Sequence, residues 1–596
     1  MTMGNVHSDP LGSNTSFDKD HERLKSREAQ RAQGRQKIDD RIEQLEQLEQ
    51  LQHELLNLKV ERNQLSITAQ LPPEILSRIF FFVERSSMLG IPGYGRPRWV
   101  GVTYVSRRWR GVTLGTPSLW SNIELCSLPW IRAMLERSQP LPIAIEAKWM
   151  TTVIEPPRSI MVDIGQVLKP HGSRLDQLQL SAQRRDLLEQ FLDTLPTSLP
   201  NLCTLSIKND GHDYTLLRFP QKLFIDGVPK LRDVRLAGCH ISWKFRLFQG
   251  LTSLHVSTCT KSPGPSEATI MSGDALQSAD DFLKALESMP MLEVLSIDFI
   301  VPDFSEMERE PIQLPCLRQL YLGAPLSDIA DVLQLISIPT SAHVKFHSFT
   351  WVGTVLISDA IPEFVAALHC SWLSAPLAPS GSSSPPPCMK NLEIYSDEYR
   401  WILDGWFTDV ATPTNKPFEF ELDLRGPGCT SEELSEVLSH LPLGGLRTLG
   451  IVGSITTEDM VPIGQWQSLR HISLDGTVIK TFLEYMETDP SLGDGSSSTP
   501  TYLGSLEVLK IIGADFYGTE YPDTLSVEVL LDFLMIRYEF GSPIRSLELL
   551  HCFNLDESEV ETIRHIIGDM GTQWDGEVNV EEHEESDSDE DFECRY

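Results

Sequence analysis

Leu202-Cys203-Thr204-Leu205-Ser206-Ile207 is the stretch on which the reading of this chain turns, because its spacing of apolar residues keeps returning. Before it stands Leu175-x-x-Leu178-x-Leu180; after it come Leu231-x-x-Val234-x-Leu236, Leu251-x-x-Leu254-x-Val256, Leu292-x-x-Leu295-x-Ile297 and Leu317-x-x-Leu320-x-Leu322. Further copies are Met389-x-x-Leu392-x-Ile394, Leu446-x-x-Leu449-x-Ile451, Leu469-x-x-Ile472-x-Leu474, Leu506-x-x-Leu509-x-Ile511 and Ile544-x-x-Leu547-x-Leu549. Alternate side chains of a strand share a face, so the last two apolar positions of each copy predict a short strand buried on one side. The leading apolar residue predicts a turn whose side chain also points inward.

Between copies the pattern changes to helical spacing, as in Phe282–Leu286 ahead of Met291 and Leu434–Leu441 ahead of Leu446. Alternating strand and helix places the chain in the α/β class. The recurrence resembles the leucine-rich repeats, with Cys239, Cys259 and Cys552 three residues past the last apolar position of their copies. That resemblance implies a curved solenoid with parallel strands on its inner face, and cysteines bonding turn backbone. The copies are irregularly spaced, so we expect a degenerate array over 166–570. A non-repeat α/β domain stays open as the alternative. Residues 260–280, Ser374–Pro387 and Asp489–Pro500 read by composition as inserted loops. Leu128–Arg137 reads as an amphipathic helix and Ile143-Ala144-Ile145 as a strand, connecting elements within 126–165.

Ahead of the repeats lies Leu71-Pro72-Pro73-Glu74-Ile75-Leu76-Ser77-Arg78-Ile79-Phe80, followed by Val105-Ser106-Arg107-Arg108-Trp109-Arg110 and Thr116-Pro117-Ser118-Leu119-Trp120. Proline is tolerated in the first helical turn, where its missing N–H has no partner, so Pro72-Pro73 starts a helix. Ile75, Leu76, Ile79, Phe80 and Val83 form a stripe wider than one short helix can hide. Val102, Val105, Trp109 and Val112 fall on one face of a predicted second helix, and Leu114, Leu119 and Trp120 extend the apolar set.

These residues resemble the F-box proteins, most closely the fungal group with an LPPEI helix followed by a V(C/S)RxWR and TPxLW segment. Here Ser106 stands where the family often has cysteine, and residues 84–98 form a Gly/Pro-rich insertion. The resemblance covers 68–125 and implies a three-helix module that binds a Skp-type adaptor, and through it a cullin-RING ubiquitin ligase. Carried over by position, the adaptor-facing residues are Leu71, Pro72, Ile75, Leu76, Ile79, Val105, Trp109 and Trp120.

Residues 1–20 are polar and expected to be disordered. From 21 to 67 the chain predicts one long helix, with Ile38, Ile42, Leu45, Leu48, Leu51, Leu55, Leu58 and Leu65 alternating steps of three and four. An extra three-step at Leu45 to Leu48 and Arg62 at a seam position interrupt the pattern. Self-association through 36–65 as a coiled coil and one helix folding back on the chain both fit it. At the other end, 571–596 is an acidic tail, and Glu581–Glu593 carries like charge that cannot form a core; Ser586 and Ser588 lie within it as candidate phosphorylation sites.

The 596 residues exceed one compact core, and the net charge of −34 opposes general affinity for nucleic acid or anionic membrane. The 10 cysteines are scattered without a CxxC pair, a pattern of reduced thiols. With no signal-like apolar core at the start and no long apolar run later, the expectation is a cytoplasmic or nuclear protein. No GxxxxGK(S/T), GxSxG or HExxH occurs, and Cys239-His240 and His551-Cys552 are adjacent pairs that point to opposite faces of a strand. No cofactor, metal or catalytic residue is therefore expected. The resemblances together predict a non-catalytic substrate receptor of a Skp–cullin–F-box ligase that binds an unidentified protein substrate. The alternative is a coiled-coil and repeat scaffold acting outside any ligase.

Overall fold

The computed structural model describes residues 15–86, 95–149, 158–211, 216–220, 223–240, 242–244, 246–257, 279–298, 304, 309–349, 357–373, 388–397, 400–408, 418–425, 431–489, 502–518, 524–568 and 571–576. The acidic tail with Ser586 and Ser588, Cys259, and nearly all of the three predicted loop insertions lie outside these residues, as do 87–94 of the 84–98 insertion. Two compact units are present: Met1–Met88 with Arg96–Trp120, and Ser121–Tyr596 with Leu89–Gly95.

The first unit is helical. Helix α1 runs from Thr15 to Gln64, so helix already occupies 15–20, where disorder was expected. Ser66 Oγ donates to Asn63 O at 2.7 Å just past its end, and a single turn, Ile67–Gln70, follows. Helix α2, Pro73–Ser86, starts at the proline pair and buries Leu76 and Phe80. The predicted second helix is interrupted: a 3-10 segment, Arg98–Tyr104, gives way to helix α3, Arg107–Leu114. The cause is Ser106, whose extended backbone breaks the run and whose hydroxyl accepts the Trp109 N–H at 3.1 Å, as a helix N-cap does. Val102 accordingly faces inward while Val105, which the predicted helix put on the same face, is exposed. A last 3-10 turn, Pro117–Trp120, closes the module: Trp120 stacks edge-on against Trp99 at 4.9 Å and donates Nε1–H to Thr113 O at 2.9 Å.

Among the described residues the second unit is built on one open sheet of 17 strands. They are β1 Asn122–Glu124, β2 Ile143–Trp149, β3 Leu175–Ala182, β4 Thr204–Asn209, β5 Asp233–Ala237, β6 Ser253–Ser257, β7 Val294–Asp298, β8 Gln319–Gly323 and β9 His343–Phe349. The rest are β10 Asn391–Asp397, β11 Arg400–Trp406, β12 Phe420–Arg425, β13 Thr448–Gly453, β14 His471–Asp475, β15 Val508–Ile512, β16 Ser546–Leu550 and β17 Thr572–Trp574. Every Leu-x-x-Leu-x-Leu copy forms a strand of this sheet, and its two alternating apolar residues are buried. The copies sit in register, Leu178 beside Leu205 and Leu180 beside Ile207, then Leu205 beside Val234 and Ile207 beside Leu236. Each leading residue, such as Leu202, Leu231 or Leu446, is fully buried beneath its turn.

Three features depart from expectation. The sheet begins at Asn122, inside the span assigned to the F-box-like segment, and β1 and β2 are parallel members of it rather than connectors. Between β4 and β6 the described residues form no α-helix; they hold a 3-10 turn at Arg246–Phe248 and a short parallel pair, Leu217–Arg218 with Cys239–His240. The ladder is also not parallel throughout. After β9 the chain skips ahead to β10, returns as antiparallel β11, and comes back as β12 beside β9. Strand β13 then pairs with β10, so the spatial order there is β9-β12-β11-β10-β13. Crossover helices include Arg185–Thr194, Leu326–Gln334 and Val527–Glu539; the three predicted from sequence are Leu128–Arg137, Ala279–Glu287 and Ser431–His440.

Candidate functional site

Two surfaces carry chemistry, one on each unit. In the helical unit, α2 has two apolar stripes. Leu76 and Phe80, four apart, turn inward, where Phe80 meets Trp109 at 5.0 Å between ring centroids. Ile75, Ile79 and Phe82 turn outward, and Phe82 is 72 % exposed. Of the residues carried over as adaptor-facing, Pro72, Ile75, Ile79 and Val105 are exposed, and Leu71 and Trp109 are half-buried. Leu76 and Trp120 are fully buried and pack in the core of the module.

Phe82 and Tyr104 are exposed residues that the sequence reading left out; Phe82 lies three and seven residues after Ile79 and Ile75, a spacing that marks the same helical face. The rim is basic. Arg107, Arg108 and Arg110 of α3 are exposed, Arg108 donates to Leu71 O, and the Arg96 guanidinium lies 5.0 Å over the Tyr104 ring.

In the sheet unit, strand residues that alternate with the buried leucines include a polar cluster where the strand order reverses. Asp423 on β12 is buried yet held by two guanidinium groups: Arg400 Nε donates to Oδ1 at 3.0 Å and Nη2 to Oδ2 at 2.9 Å, and Arg425 Nη2 donates to Oδ2 at 2.9 Å. Burial alone would raise the Asp423 pKa, but the bonds from Arg400 and Arg425 outweigh it and hold it below the usual value.

His347 on β9 faces the same carboxylate at 3.9 Å, and burial keeps its pKa below that of a free imidazole. The Tyr321 hydroxyl lies 3.3 Å from His347 Nδ1. The Asp298 carboxylate covers Gly323, where an added Cβ would sit 2.1 Å from Oδ1; burial pushes this carboxyl up to about 7.

The antiparallel pairing also sets Glu393, Asp404 and Glu421 side by side across three strands. Lys345 pairs with Glu421 at one end of the row. Asp404, at its centre, is almost wholly buried, and burial, then the charges of Glu421 and Glu393, push its carboxyl up to about 7. No local pattern signals this row, because it exists only in the reversed strand order.

Among the described residues no group of three or more His, Cys, Asp or Glu is placed to hold a metal ion, and no helix is long and apolar enough to cross a membrane. Cys239 is buried with Sγ 3.3 Å from Ala237 O, and Cys552 Sγ lies 3.6 Å from Leu550 O; burial pushes both thiols above their ordinary pKa, Cys552 to about 11. Burial thus disfavours the thiolate of both at neutral pH. Compared with known proteins, the chain matches no family model and no curated protein.

Proposed function

We propose that this chain is the substrate-receiving subunit of a Skp–cullin–F-box ubiquitin ligase. The observation that carries the reading is the double-faced helix α2. Its inner stripe closes a core with Trp99, Leu119 and Trp120, while Ile75, Ile79 and Phe82 remain outside as a second apolar face. A small module that has satisfied its own core and keeps such a face is built to lay it against another polypeptide. The basic rim of α3 favours a partner whose own rim is acidic.

The F-box resemblance supplies the partner: a Skp-type adaptor, bound through Ile75, Ile79, Val105 and neighbours. The long sheet, read as a degenerate leucine-rich-repeat solenoid, supplies an extended face for a protein substrate, with the Arg400–Asp423–Arg425 cluster on it. The chain's contribution is positional: it raises the local concentration of substrate lysines near the ubiquitin-loaded enzyme, and the covalent steps belong to other subunits.

The test is capture of a Skp-type adaptor and a cullin by the tagged full chain. Wild type is expected to retain both, and Ile75→Asp with Ile79→Asp to lose both while keeping the wild-type circular dichroism spectrum. Adaptor without cullin would favour a scaffold outside the ligase. Undiminished capture by the folded double variant would refute the assigned face.

A further inference from the structure

Helix α1 is 50 residues long, and Ile38, Ile42, Leu45, Leu48, Leu51, Leu55 and Leu58 are each 48 to 62 % exposed along it, as an apolar seam that winds around the helix, with Leu65, 84 % exposed, just past its end. The half-buried Val60 and Asn63 near its end stand off the adjoining stretch of the seam. Val60 lies about 180° around the helix from Leu51 at 3.6 residues per turn, and Val60, Asn63 and Leu56 line a cleft of about 620 Å³ with Val105 and Trp109. The module therefore covers α1 near its C-terminal end and leaves Ile38 to Leu58 exposed among the described residues.

We infer that the occupant of this seam is a second copy of the same helix, running antiparallel about a twofold axis near residue 50. The seam positions are close to palindromic about that point. An antiparallel pair sets Leu48 against Leu51 of the second copy, Leu45 against Leu55, Ile42 against Leu58 and Ile38 against Arg62, each matched to within one residue. The three-step between Leu45 and Leu48, an interruption in a single strand, lies beside the axis opposite the four-step from Leu51 to Leu55, which is the one-residue offset in the pairing.

Charge selects the same arrangement. An antiparallel pair places Arg41 near Glu61 and Asp39 near Lys59, opposite charges flanking the seam at both ends, and brings no like charges together at these positions. A parallel pair would stack Arg62 on Arg62 within the seam. Antiparallel pairing gives each Arg62 the stem of Ile38 to lie along and Asp39 beside it. An isologous contact of this kind closes on itself as a dimer. It holds whatever the helical module binds.

Light scattering of the full chain after gel filtration is expected to read twice the monomer mass at micromolar concentration. Leu48→Asp with Leu51→Asp should return it to a monomer with the rest of the fold unchanged by circular dichroism. Orientation is read by disulfide trapping against the wild-type background. Antiparallel pairing joins Ile42→Cys with Leu58→Cys in one doubly substituted chain, whereas Leu58→Cys alone stays uncrosslinked, because the two copies of residue 58 lie roughly 24 Å apart along the axis. A monomeric wild type, or a Leu58→Cys chain that crosslinks to itself, would overturn the inference.

Discussion

Replacing Arg537 with methionine tests how the last part of the sheet unit is held. This arginine, on the helix Val527–Glu539, is 2 % exposed. Its guanidinium donates to four backbone carbonyls: Ser542 O at 3.1 Å, Tyr502 O at 3.3 Å, Leu503 O at 3.0 Å and Leu506 O at 3.3 Å. It thereby ties its own helix to the turn that carries Leu506, the leading residue of the copy ending in β15. Burial draws its pKa down to about 10, so it stays charged at neutral pH. Methionine refills most of the volume and removes every donor.

Hydrogen bonds from a charged donor are worth about 1.5–3 kcal/mol each, but the four share one side chain and do not add. Leu503 O also accepts from Leu506 N at 3.0 Å and is not orphaned. The expected loss is about 2–4 kcal/mol, from buried carbonyls left without a donor at about 1–3 kcal/mol each and partly offset by no longer burying a charge, against a total stability of about 5–15 kcal/mol. Lysine keeps the charge but, as a point donor without the planar fork, should recover less than half of it. Because a long sheet need not unfold in one step, hydrogen exchange read on peptides spanning 502–506 and 537–542 is the sharper assay, with urea midpoints alongside. A methionine variant with unchanged exchange there and a loss under about 1 kcal/mol would refute the accounting.

Leu76→Ala should cost about 2–5 kcal/mol of stability and Ile79→Ala less than about 1 kcal/mol, a split that thermal melts of the two variants will read. Asp404 gives a pH signature: its folded pKa stands above its unfolded value of 3.8, at about 7. Stability from its protonated form is thus full below pH 3.8 and lost as the pH rises through 7. Asp404→Asn should match wild type in urea midpoint at pH 4 and exceed it at pH 8; equal gains at both would sink this reading. Gly453, at φ +103°, ends β13 where an added Cβ would come within 1.9 Å of Ser396 O, so Gly453→Ala should cost about 3 kcal/mol, measured by denaturation.

What the sequence by itself determined is everything with a short period. The spacing in each Leu-x-x-Leu-x-Leu copy dictates a strand with one buried face, and every copy forms one. The proline pair at Pro72-Pro73 starts α2, and the seam of α1 is visible as a helix with an apolar edge. Strands β9 and β12 went unread because Val344-x-Phe346 and Phe420-x-Leu422 lack the leading apolar residue, with Ser341 and Pro417 in its place.

Only the tertiary structure decided which strands are neighbours. A ladder's hydrogen bonds are the same backbone groups whatever strand lies alongside, so nothing local distinguishes β9-β10 from β9-β12, and the antiparallel return of Arg400–Trp406 is set by long-range packing. The row Glu393–Asp404–Glu421 and the Arg400–Asp423–Arg425 cluster follow from that choice. The same limit hid the burial of Arg537 and the inward turn of Leu76 and Trp120. Periodicity says that a face is apolar, and only the assembled neighbours say whether it is covered.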